Sequence, residues 1–248
     1  TQKQNLAFTL SGGLLAGPII NKSLIVTAYD ANGQVLGSTT THQDNQTASG
    51  GYGYYTLTIN HPAFSGGVVL LRVSDPTPGM ANDFIDEATG LPTDIADLRA
   101  VLVVERPQYS ASTSTGTSQN IGETALQVTA YITPLTTLAA ELIAPLPAAA
   151  GGVWTLPTDI TKDQITDSNG HVAELFGLSP ASDLITTQPV AVMSSAGVPL
   201  TGSNAYGKAL AVLSLAQAHN TGLSLQALAD DLRTVGGSDG PLKFSAVV

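Results

Sequence analysis

Along the first part of the chain, apolar and polar positions alternate with the period of two that marks half-buried strands. Leu6, Phe8 and Leu10 alternate with Ala7 and Thr9 until Gly12-Gly13 breaks the run, and residues 23–29 resume a β-branched, apolar stretch. Asp30-Ala31-Asn32-Gly33 predicts a turn, because its Asn-Gly pair tolerates positive φ, and residues 34–41 return as the second arm of a hairpin. Over residues 52–59, Tyr55, Leu57 and Ile59 share one face while Tyr52, Tyr54, Thr56 and Thr58 share the other. Residues 68–73 are apolar except for Arg72 and predict a central strand covered on both faces. Residues 101–104 and 126–132 predict two further strands. Pro92-Thr93-Asp94 has N-terminal capping chemistry and predicts a short helix through Arg99; Leu156-Pro157-Thr158-Asp159-Ile160 repeats the pattern and predicts another helix start.

From Thr133 the period lengthens to that of a helix. Thr133-Pro134 reads as an N-cap followed by proline in the first turn, with Leu135, Leu138, Ala139 and Leu142 on one face and Pro145 as the stop. Val172, Leu175 and Phe176 before Gly177 predict a second helix end. Tyr206, Ala209, Leu210 and Leu213 mark a third helix, and Leu225, Leu228, Ala229 and Leu232 a fourth, capped by Ser224. The pattern predicts an α+β chain: a small antiparallel β-sandwich over residues 1–132, with a loop or linker at 110–122, then a helical bundle over 133–248 that ends in an extended tail. No repeat of solenoid period is present.

Composition narrows the function classes. Only 11% of the 248 residues are charged, less than half the roughly 25% usual for a globular domain, and Lys+Arg 9 against Asp+Glu 19 gives a net charge of −10. Nine scattered basic residues cannot neutralise a nucleic-acid backbone or form a basic membrane-surface helix. The chain has no cysteine, which excludes disulfides, thiolate metal sites and cysteine nucleophiles. No apolar run is long enough for a membrane span and residues 1–5 lack an apolar signal core, so the chain is expected to be soluble.

Candidate chemistry is sparse. His42, His61, His171 and His219 are scattered without metal-ligand spacing, and no nucleophile elbow or phosphate loop is present. Asp83, Asp86 and Glu87 cluster, followed by Asp94 and Asp97. Converging carboxylates serve as an acid and base pair or hold Ca²⁺ through oxygen ligands; the alternative is a solvated loop leading into the acidic first turn of a helix. Tyr52 and Tyr54 offer either a stacking platform for a glycan or partner, or packing against the helical half. Asn21-Lys22-Ser23 and Asn45-Gln46-Thr47 are glycosylation sequons.

The run of residues 24–41, followed by Gly53-Tyr54-Tyr55-Thr56-Leu57, resembles the carboxypeptidase-regulatory-like, prealbumin-type β-sandwich modules of bacterial surface proteins. Residues 131–138, Phe176-Gly177-Leu178 and residues 205–210 resemble segments that follow such modules in large exported adhesins and surface lipoproteins. The likeness implies export to the cell surface, scaffolding and no catalytic residues. This chain departs from that pattern in lacking tandem copies, a Leu-Pro-x-Thr-Gly anchor and a lipobox cysteine. Three functions follow as expectations: a secreted structural or adhesive subunit that is not an enzyme, a glycan- or peptide-binding module, and a hydrolase using the acidic cluster. The first is preferred. Its copies would join into a fibre when an extended terminus, carrying Leu6, Phe8 and Leu10 at one end or Phe244 and Val247 at the other, adds as a strand to a neighbour.

Overall fold

In the computed structural model, residues 6–43, 51–80, 82–95, 97–106, 126–147, 152–179 and 183–236 are described. Phe8–Gly13 (β1), Ile25–Asp30 (β2), Val35–Thr40 (β3), Tyr54–Ile59 (β4), Gly67–Ser74 (β5), Phe84–Ile85 (β6), Pro92–Thr93 (β7), Leu98–Val104 (β8) and Leu126–Thr129 (β9) are strands. Pro134–Ile143 (α1), Lys162–Leu175 (α2), Ala205–His219 (α3) and Leu225–Gly236 (α4) are helices, so the chain is α+β as its patterning predicts.

The strands form a three-stranded sheet in the order β4-β1-β9, a four-stranded sheet in the order β3-β2-β5-β8, and the ribbon β6-β7. The β2–β3 hairpin closes on the predicted turn. Gly33 takes φ +79° there, and the Asp30 carboxylate accepts hydrogen bonds from the Asn32 and Gln34 amides at 2.9 and 2.8 Å. The two larger sheets share one apolar core, in which Phe8, Leu10, Tyr55 and Ile59 meet Val26, Ala28, Leu71, Val73, Ala100 and Leu102. The alternation in β5 and β8 then carries the remaining side chains to the opposite face. Leu70 and Val101 pack there against Ala140 and Ile143 of α1, Ile165 of α2 and Trp154. The four-stranded sheet is thus covered on both sides, by the other sheet and by helices. A third cluster, including Leu138, Val172, Leu210, Leu213 and Leu228, holds the four helices together.

Helix starts follow local chemistry. Thr133 caps α1 through the Thr136 amide, with Pro134 next; Thr161 caps α2 in a reciprocal box with Gln164; Asn204 caps α3; and Ser224 Oγ accepts from the Ala227 amide at the start of α4. Gly207 lies where α3 approaches extended chain: a Cβ there would meet Val190 O at 1.7 Å.

Three expectations are corrected. Residues 92–99 are not a helix, because Pro92–Thr93 pairs with Phe84–Ile85 and Leu98–Arg99 opens β8, which pairs with β5 from Leu98 to Val104. The Asp94 carboxylate accepts from the Gly79 amide instead of capping its own segment, and the continuous apolar run from Ala100 to Val104, buried on both faces of its sheet, prevails over the capping signal. The second Pro-Thr-Asp lies just upstream of α2, whose cap is Thr161. The strands are not wholly antiparallel either: β9 runs parallel to β1, with Phe8 opposite Leu126 and Ser11 opposite Thr129. Residues 14–125 separate the two strands in sequence, far more than the crossover that parallel pairing requires.

Strand β1 is also not a spare strand. It is paired along both edges, and Phe8 and Leu10 are fully buried with Leu6 close behind. Burying such side chains stabilises the fold by about 1.5–3 kcal/mol each, so this end is spent on the chain's own core. Phe244, Val247, the 110–122 loop and the Asn45 sequon lie outside the described residues. Asn21 of the other sequon is buried, and its Nδ2, the glycan-bearing atom, donates to Asp83 Oδ1 at 2.5 Å.

Candidate metal centre

The Asp83, Asp86 and Glu87 carboxylates diverge. The tip of the β6-β7 ribbon sends Asp86 and Glu87 toward the helical half. Asp86 accepts from Ser214 Oγ of α3 at 2.9 Å, and Glu87 Oε1 accepts from the Val192 and Met193 amides at 2.8 and 3.2 Å. Burial pushes the Glu87 carboxyl above its ordinary value, opposed by those two amides and aided by the nearby Asp86.

Asp83, at the foot of the ribbon, turns the other way and meets Asp75, just past the end of β5, and Asp94, just past β7. One oxygen of each lies within 4.8 Å of the others. Asp83 is fully buried, with Oδ1 held by Asn21 and Oδ2 by the Ile95 amide at 2.7 Å. Asp75 Oδ1 accepts from Thr77 N at 2.9 Å and from Asn21 Nδ2 at 3.3 Å, while Asp94 Oδ2 accepts from Gly79 N at 2.7 Å. Both Asp83 oxygens are thus held, but Asp75 Oδ2 and Asp94 Oδ1 are buried with no hydrogen-bond partner, as is Oδ1 of the adjacent Asn82. Among the described residues no cationic side chain pairs with any of the three carboxylates. Burial, first, and the neighbouring Asp94 and Asp75 push the Asp83 carboxyl above its ordinary value, against the lowering by Asn21 and the Ile95 amide.

Buried oxygens of like charge without partners are costly, and a hard cation removes the cost. Two oxygens that each sit 2.3–2.6 Å from one Ca²⁺ can be at most about 5 Å apart, which the 4.8 Å spread satisfies. The donors are all oxygen, which suits Ca²⁺ and gives zinc none of its preferred nitrogen or sulfur. Sequence reading identified Asp83 but missed Asp75 and Asn82, and it assigned Asp94 to a helix start. The available signal was Asp75-Pro76-Thr77, an Asx-type turn that aims a carboxylate back at the end of its strand.

The aromatic candidates are engaged within the chain. Lys22 Nζ sits 5.0 Å over the Tyr52 ring, and Tyr54 meets His42 edge-on at 5.2 Å; both tyrosines are half-buried. A second polar centre, unforeseen from sequence, lies where β8 meets the helices. Arg99 and Glu141, 3% and 2% exposed, form an ion pair; Arg233 of α4 reaches the other Glu141 oxygen at 3.1 Å; and Thr136 and Thr137 donate to Arg99 O. Those interactions bind sheet to helices.

Compared with protein-family models, curated proteins and solved structures, the chain matches none.

Proposed function

We propose that this chain is a structural module without catalytic activity, a prealbumin-type β-sandwich with an attached helical bundle, braced by Ca²⁺ at Asp75, Asp83 and Asp94. The reading extends to its setting: an exported bacterial surface protein whose copies associate through an extended strand. The observation that carries it is the fully buried Asp83 carboxylate between two others, with buried oxygens left unpartnered. Such a site has the all-oxygen chemistry of Ca²⁺ sites in extracellular modules, whose dissociation constants of about 10⁻⁴–10⁻³ M match a calcium-rich exterior. The low charge and the resemblance of residues 24–41 to surface modules support the same setting. Because β1 is committed to its own sheet, the donor strand in this reading is Leu242 to Val248, in which Phe244 and Val247 would stand on opposite faces.

Isothermal titration of the metal-free chain with CaCl₂ tests the brace. One equivalent binding at submillimolar to millimolar Kd, and lost in Asp75→Asn, is the expected result; no heat and no competition with a Ca²⁺ indicator at 10 mM refutes it. Sedimentation across a concentration series, with and without residues 237–248, tests association.

A further inference from the structure

Strands β8 and β9 are the outer strands of their two sheets, and both border a cleft of about 380 Å³ against α2. In β8, Arg99 marks which backbone groups face outward: its N–H donates to Thr137 Oγ1 of α1 at 2.8 Å, and its carbonyl accepts the Thr136 and Thr137 hydroxyls. The antiparallel ladder to β5 alternates, so Val101 and Val103, two and four residues on, turn their N–H and C=O groups to the same outer edge. Helix α1 covers that edge at Arg99. Beyond it the edge continues into the cleft, where no described residue pairs with those four groups. The cleft is further lined by Ile165, Ile185 and Asn169. Asn169 is 7% exposed; its Nδ2 donates to Ile165 O, and its Oδ1 has no partner. An unpaired sheet edge beside a buried, unsatisfied acceptor fits an extended peptide backbone, which supplies N–H and C=O groups in register.

We propose that the outer edge of β8 in this cleft is the acceptor for a strand from a second copy of this chain, residues Leu242 to Val248. This rests on the reading above that copies associate by strand addition, and it names where. The segment follows α4 after the five residues Gly-Ser-Asp-Gly-Pro, and its apolar Leu242, Phe244, Ala246 and Val248 fall at alternate positions, as an added strand requires. Its single charged side chain, Lys243, complements Asp183, the acid at the cleft, whose lining contains no basic residue.

The probe is the synthetic peptide Leu-Lys-Phe-Ser-Ala-Val-Val, titrated into the full chain, with amide exchange followed at β8. Binding that slows exchange at Val101 and Val103 by at least tenfold is expected. The Val103→Pro variant deletes an outward N–H that the fold itself does not use, a position where an edge strand tolerates proline. Because Val103 also packs against the Leu70 and Ile165 cluster, some loss of melting temperature is expected; a variant still folded at the assay temperature should bind the peptide at least tenfold more weakly, and Asn169→Leu should weaken binding as well. Peptide binding that leaves the two amides unprotected, or that survives Val103→Pro, overturns this site while strand addition elsewhere stands. So does absence of binding by a chain that still self-associates. Amides protected in the free monomer and released by deleting 237–248 show the tail folding back on its own chain, which overturns the second-copy occupant. A monomer at every concentration that binds no peptide overturns both the site and the assembly reading.

Discussion

Replacing Asp94 with asparagine separates a calcium brace from a merely acidic loop, because the two predict opposite signs. Asp94 Oδ2 accepts the Gly79 amide, while Oδ1 is buried without a partner beside two other carboxylates. In Asp94→Asn the amide oxygen can keep the Gly79 bond, and the new NH₂ takes the place of Oδ1, where it can donate to Asp83 or Asp75. One like-charge contact is thereby exchanged for a hydrogen bond to a charged acceptor, worth about 1.5 kcal/mol at the low end suited to a half-exposed residue. For a chain of this size, melting in EDTA should rise by about 3–6 °C. Calcium acts the other way: at 10 mM ion and a Kd of about 10⁻⁴–10⁻³ M, linkage stabilises the native sequence by about 1.4–2.7 kcal/mol, or about 3–11 °C. The variant, having lost a ligand charge, should respond by less than a third of that. Thermal unfolding of both proteins in EDTA and in 10 mM CaCl₂ therefore has a crossing pattern, with the variant ahead in EDTA and its lead reduced or reversed in calcium. A native melting point indifferent to calcium, or a variant that keeps the full calcium shift, refutes the reasoning.

Other perturbations test the surrounding architecture. Glu141→Ala leaves the buried Arg99 guanidinium with Asp97 as its remaining carboxylate among the described residues and takes a partner from Arg233, and should cost about 1–3 kcal/mol in urea unfolding; an unchanged urea midpoint contradicts a desolvated pair. Gly207→Ala places a methyl 1.7 Å from Val190 O and should cost about 1–3 kcal/mol or more by overpacking, against an unchanged urea midpoint if α3 sits further away. Glu87 has a native pKa raised above 4.5, so the folded state holds its proton more tightly than the unfolded chain. Its favourable contribution is complete below 4.5 and is lost as pH rises through the native value. The stability of the native sequence relative to Glu87→Gln should therefore fall between pH 4 and pH 7, and a difference that grows with pH shows the sign to be wrong.

Local signals carried far in this chain. The 24–41 hairpin, the caps at Thr133 and Ser224 and the stop at Gly177 are each decided within a few residues, by turn chemistry or by a side-chain acceptor at a helix end, and the structure places them as the sequence predicts. What escaped the sequence reading is set at long range. Nothing near Leu126 specifies that β9 lies parallel to β1, and nothing near Pro92 reveals that the following strand will find β5. The metal centre escaped for the same reason. Asp83, Asp86 and Glu87 are neighbours in sequence, but the ribbon turns them to opposite sides, and the partners of Asp83 arrive from the end of β5 and from beyond β7. Arg99 and Glu141 read as interruptions in apolar runs until β8 and α1 are stacked and the two meet in a buried ion pair, flanked by Asp97 and Arg233.

The parallel pairing of β1 with β9 also sets an order of events. Strand β1 is made first, and its β4 partner follows within about fifty residues, but Leu126 must come alongside Phe8 from more than a hundred residues downstream. Closing so long a loop is slow, and until it closes, one edge of β1, with its apolar Phe8 and Leu10, has no partner in the nascent chain. Refolding should then be limited by the arrival of β9, and β1, made before both of its partners, keeps an open edge until that last step.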